Sequence, residues 1–77
     1  MRVIKEIQHR LCRISFFQWN GKYIIKLEQD NLEQTFKVDE FDVMNLEEVE
    51  AIISEDFIQS AAERFRNMNA DLQKAMK

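Results

Sequence analysis

Proline is absent from the 77 residues, and glycine occurs once, as Gly21. That composition has no room for a flexible linker or a long irregular loop. One domain over residues 1–77 is expected. Cysteine also occurs once, as Cys12. A lone thiol excludes an intrachain disulfide, on which secreted domains of this size usually rely. Histidine is single too, as His9. A zinc site takes four ligands, or three and a water, so the pair His9-x-x-Cys12 would need carboxylates to complete it. A turn histidine beside a buried thiol is the preferred reading, with no metal and no cofactor. As a nucleophilic couple the pair would need an orienting group and an oxyanion hole. Strand alternation puts Cys12 on the core side with Ile14 and Phe16, where free cysteines are inert. No run approaches the roughly 20 apolar residues of a membrane helix. Met1-Arg2-Val3-Ile4-Lys5-Glu6 carries no apolar signal core. A cytoplasmic location without a membrane partner is expected by elimination.

What is present is globular: 45% hydrophobic and 32% charged residues, a balance that supports a packed core. The net charge of −3 is unevenly spread. Residues 1–26 hold six basic residues against one acidic, a net of +5. Residues 27–56 hold one basic, Lys37, against eleven acidic, a net of −10. Residues 57–77 return to +2, with four basic and two acidic. The chain as a whole has no reason to seek nucleic acid, although its first third presents basic residues. Glu28, Asp30, Glu33, Asp39, Glu40, Asp42, Glu47 and Glu48 lack the spacing and the glycine of a calcium loop. A solvated acidic rim is the expectation for them.

The first half reads as strands. Residues 11–19 and 22–29 flank Asn20-Gly21, and both central positions of a type I′ turn need positive φ, which Asn and Gly tolerate. A two-residue loop pairs Trp19 with Lys22, Phe17 with Ile24, Ser15 with Lys26 and Arg13 with Glu28. The other face pairs Gln18 with Tyr23, Phe16 with Ile25 and Ile14 with Leu27; being more apolar, it is assigned to the core. Asp30-Asn31 is a second turn, pairing Leu27 with Gln34, Ile25 with Phe36 and Tyr23 with Val38. Residues 2–7 form a further strand that returns through Gln8-His9-Arg10. Phe41 and Val43 break the alternation after Val38, so a bulge or strand end is expected near Asp39-Glu40.

The second half takes a helical period. Asn45 caps a short helix with Glu47, Glu48 and Glu50 in its early turns. Leu46, Val49, Ile52 and Ile53 are its expected buried stripe. Ser54 caps a long helix that runs to about Met76. Its apolar positions are Ile58, Ala61, Phe65, Met68, Leu72 and Ala75, at spacings of three and four, with Phe57, Ala62 and Met76 widening the stripe. The predicted class is α+β: an antiparallel three- or four-stranded meander followed by two C-terminal helices on one sheet face, β-β-β-(β)-α-α.

Through the segment Trp19-Asn20-Gly21-Lys22-Tyr23-Ile24-Ile25-Lys26 the chain resembles small uncharacterised bacterial proteins of the kind solved by structural genomics. These share such a hairpin followed by acidic strands and a C-terminal helix. The resemblance implies this fold over most of the chain. It implies no activity and transfers no functional residue.

Two surfaces remain as candidates for contact. The outer sheet face brings Phe17, Trp19 and Ile24 together among Arg13, Lys22, Lys26 and Lys37. An ordinary cross-strand cluster is the first reading of it. A protein contact is the second, and stacking of single-stranded nucleic acid the third. Glu28 and Glu33 on the same face weigh against the third. The far end of the long helix is the other surface. Its 19 residues from Ile58 span about 28 Å and a seven-residue strand about 23 Å. Met68, Leu72 and Met76 then overhang and want a partner, most simply a second copy. The expectation is a non-enzymatic protein-interaction module, homodimeric, with no small-molecule substrate. A single-stranded nucleic-acid module using the basic aromatic hairpin is the alternative.

Overall fold

A computed structural model describes residues 2–76. Four antiparallel strands, β1 (Arg2–Gln8), β2 (Arg13–Trp19), β3 (Lys22–Gln29) and β4 (Leu32–Asp39), form one open sheet in the order β1-β2-β3-β4. A single 3-10 turn (Glu40–Asp42) follows, then α1 (Leu46–Ile52) and α2 (Glu55–Ala75). The class is α+β, with the fourth strand formed by the N-terminal segment.

The turn chemistry sets the register. Asn20 and Gly21 take φ of 55° and 76°, the left-handed values that a type I′ loop demands. Trp19 faces Lys22, Phe17 faces Ile24 and Ile14 faces Leu27. At the second turn Asp30 adopts φ of 53°, and Leu27 faces Gln34, Ile25 faces Phe36 and Tyr23 faces Val38. Both registers match the two-residue loops read from the sequence. β1 pairs with β2 through Ile7 and Ile14, with a shift between Val3 and Lys5. That bulge turns both Ile4 and Lys5 toward the helical side, where Ile4 packs on the core and Lys5 pairs with Glu50 of α1. β4 ends at Asp39, and the Glu40 amide closes on the Gly21 carbonyl at 3.1 Å. The broken alternation after Val38 is thus a strand end and not a bulge.

The core lies between one sheet face and the helices. Ile14, Phe16, Ile25 and Leu27 meet Val49 of α1 and Ile58, Ala61 and Phe65 of α2, with Cys12 at the margin. Asn45 accepts from the Glu48 amide and Ser54 from the Phe57 amide, at 3.1 and 3.2 Å, satisfying amides that a helix start leaves without partners. Over β4, the Gln34 amide donates to the Ala61 carbonyl and the Arg64 Nε donates to the Gln34 side-chain oxygen, at 2.9 and 2.8 Å. Phe36 and Phe57 meet edge to face, with centroids 5.2 Å apart.

Two expectations about the helices need correction or sharpening. Ile52 is exposed and does not join the buried stripe of α1. At 100° per residue it lies about 90° round the helix from the centre of the stripe made by Leu46, Val49 and Ile53. In α2 the buried stripe stops at Phe65, and Met68 is half-buried against the core. Residues 69–76 are exposed throughout, a projection of about 12 Å at 1.5 Å per residue. The extents of 45 × 25 × 20 Å and the radius of gyration of 13.6 Å reflect this. A rounded chain of this length would have a radius near about 11.5 Å.

Candidate functional site

His9 and Cys12 lie in the loop between β1 and β2, where the His9 amide donates to the Cys12 carbonyl at 3.1 Å. Their side chains do not work together. His9 Nδ1 accepts from the Leu11 amide at 3.1 Å, so the ring proton belongs on Nε2, which lies 3.1 Å from a Glu55 carboxylate oxygen. The histidine therefore ties the loop to the start of α2. Cys12 is buried, and desolvation pushes its thiol pKa up from 9.0, the opposite of what a nucleophile needs. Because its folded pKa is raised, Cys12 favours the fold fully below the unfolded thiol pKa, and that contribution is lost as pH rises through the folded value. Native protein at pH 8 is expected to react with a thiol reagent at least about tenfold more slowly than urea-unfolded protein. Equal rates would show Cys12 to be open. Among the described residues no three His, Cys, Asp or Glu side chains stand close enough to hold a metal ion.

The outer sheet face is ordered in rows by the pairing. Val3, Phe17, Ile24 and Lys37 make one row, and Trp19, Lys22 and Asp39 the next. Ile24 is only 4% exposed although no helix covers it; long cross-strand neighbours enclose it. Phe17 is half-buried, with Lys26 Nζ 5.3 Å from its ring centroid. Of the expected trio only Trp19, at 51%, stands open, and Val3 joins it from β1. The charges on this face balance. Arg13, Lys22, Lys26 and Lys37 stand with Glu6, Glu28, Glu33 and Asp39. Three pairs are within reach: Arg13–Glu28 at 3.5 Å, Lys22–Asp39 at 2.8 Å and Lys26–Glu33 at 3.8 Å.

The 3-10 turn carries the most exposed apolar residue. Phe41 is 99% exposed, and Met44 stands open three residues on. Both lie in residues 38–63, which hold nine acidic side chains and no basic one. Sequence patterning did not single them out as a surface; the lost alternation at Phe41 was the available signal. An exposed phenylalanine on a turn reads in sequence like a core residue of a strand end.

The projecting end of α2 is the remaining apolar surface. Leu72 is 41% exposed and Met76 70%, while Met68 turns back to the core. At the foot of the projection a groove of about 150 Å³ opens between the β3–β4 turn and α2, with Leu32, Phe65 and Leu72 as its apolar lining and Arg66, Asn69 and Gln73 as polar lining on the helix. Ligand pockets are usually about 300 Å³ or more, so the groove is of side-chain size. The expected contact residues are therefore split between two places, with Phe17, Trp19 and Ile24 on the sheet and Met68, Leu72 and Met76 on the helix. In comparison with known proteins the chain matches no family model, no curated protein and no solved structure.

Proposed function

We propose that this chain is a non-enzymatic protein-interaction module that associates with a second copy of itself. The observation that carries the reading is the projection of α2 past the sheet with Leu72 and Met76 uncovered. The accessible surface of 5547 Å² supports it, since a compact chain of this mass exposes about 5,000 Å². Apolar side chains on a projecting helix gain by pairing with a like surface, and a two-fold contact buries each of them twice. The buried, reduced Cys12 suits a cytoplasmic setting. Sedimentation equilibrium over a concentration series is expected to give a dimer. Leu72→Glu is expected to weaken it at least about a hundredfold, because two carboxylates enter one apolar contact. A wild-type chain that stays monomeric at millimolar concentration would remove the reading.

The alternative is single-stranded nucleic acid stacked on Trp19. Half-open Trp19 beside Lys22 favours it. The four-to-four charge balance of the sheet face weighs against it, because phosphate binding needs an excess of cations. It requires quenching of Trp19 fluorescence by short oligonucleotides at low salt, fading as salt is added.

A further inference from the structure

The open sheet has two edges, β1 and β4, and only β1 is interrupted by a bulge. Each carries three charged residues, Arg2, Lys5 and Glu6 on β1 and Glu33, Lys37 and Asp39 on β4, but β1 also carries a bulge at Val3/Lys5, a device that discourages strand addition. β4 has eight residues in unbroken register with β3, no proline, and no backbone bond from a loop or helix along it among the described residues. α2 lies over one face of β4, through Gln34 and Phe36, and not along its edge. Lys37 is in no ion pair among the described residues.

From these features we infer that β4 pairs antiparallel with β4 of a second copy, joining two sheets into one of eight strands. This rests on the self-association reading above and gives it a contact other than the α2 ends, which the two-fold leaves at opposite ends of the shared edge. A two-fold axis perpendicular to the sheet keeps each face on its own side, so opposed residues must share a face. One such register places Thr35 opposite the second copy's Thr35. Glu33 then meets the second copy's Lys37 twice over, and Leu32 meets Val38 on the helical side. Lys37 gains its missing carboxylate, and Thr–Thr and opposite-charge pairs are favourable across strands. The neighbouring register, with Phe36 opposite Phe36, sets Glu33 against Asp39 and is disfavoured by like charge.

The test is a symmetric cross-link and a charge exchange. Thr35→Cys is expected to form a disulfide-linked dimer on mild oxidation, because opposed strand residues lie about 4.5–5.5 Å apart between Cα atoms. Glu33→Cys is expected not to cross-link, since its own copy across the axis is four residues away along the strand. Glu33→Lys or Lys37→Glu alone is expected to weaken dimerisation by roughly tenfold, and the two together to restore it. If wild type dimerises but Thr35→Cys does not cross-link, or the exchanged pair does not recover, β4 pairing is wrong and the helix-end contact stands alone. If wild type is monomeric throughout, both are wrong.

Discussion

Phe65→Ala is expected to destabilise the fold by about 3–5 kcal/mol, and Leu72→Ala by less than about 1 kcal/mol. The two residues sit seven apart on the same stripe of α2. Phe65 is fully buried against the sheet core, and its ring is among the largest side chains there. Truncating it removes the transfer free energy of the ring and leaves a cavity that a rigid sheet closes only in part. Leu72 has lost contact with the core and lines an open groove, so its removal leaves no void. A chain of 77 residues has a total stability of only about 4–12 kcal/mol, so the Phe65 variant will be close to unfolded. Urea unfolding at a concentration low enough to keep the chain monomeric separates the two. Equal losses would mean that the core extends along the whole helix.

Val49→Asp is expected to cost at least about 4 kcal/mol at pH 7, by loss of apolar burial and by placing a carboxylate where no partner awaits it. Val49 is the one buried residue of α1 and has no exposed surface. The surrounding helix is itself acidic, with Glu47, Glu48 and Glu50 within two residues, and Lys5, the β1 cation that reaches α1, is already paired with Glu50. Burial raises the folded-state pKa of such an acid above its unfolded value near about 3.9. The deficit is therefore smallest below pH 4 and grows as pH rises toward the folded pKa. Val49→Ala, expected to lose about 2 kcal/mol without pH dependence, isolates the charge effect. Thermal melts of both variants at pH 4 and pH 7 make the measurement. A Val49→Asp protein as stable as wild type at pH 7 would show α1 detached from the sheet.

Local chemistry explains why so much of the sheet could be read in advance. The Asn20-Gly21 loop admits one register, and a slip of one residue would turn Ile14, Phe16, Ile25 and Leu27 to solvent. Asn45 and Ser54 announce the helix starts because few other residues satisfy a free amide there. Periodicity then orders the apolar positions of α2 correctly. It does not say where the sheet beneath them ends, because periodicity reports only which side of a helix a residue occupies.

The candidate surfaces were less legible for the same reason. Phe17, Trp19 and Ile24 share a face by register, but their accessibility depends on the reach of neighbours such as Lys26 over the Phe17 ring. Ile24 is closed and Trp19 open, although both alternate outward. Phe41 stands clear of the protein because β4 stops at Asp39 and the backbone turns once before α1, a path set by the Gly21 carbonyl across the sheet.

Residue order alone determined the α+β class, the two hairpin registers, both helix caps and the insufficiency of one histidine and one cysteine for a zinc site. Each of these follows from spacing along the chain or from simple counting. Tertiary structure decided that the N-terminal segment supplies the fourth strand, with its bulge, and that Ile52 faces out. It also decided that full burial along α2 stops at Phe65 and that β4 is left as an unbulged edge. Those outcomes depend on which elements lie beside one another and how far each extends, and long-range packing sets both.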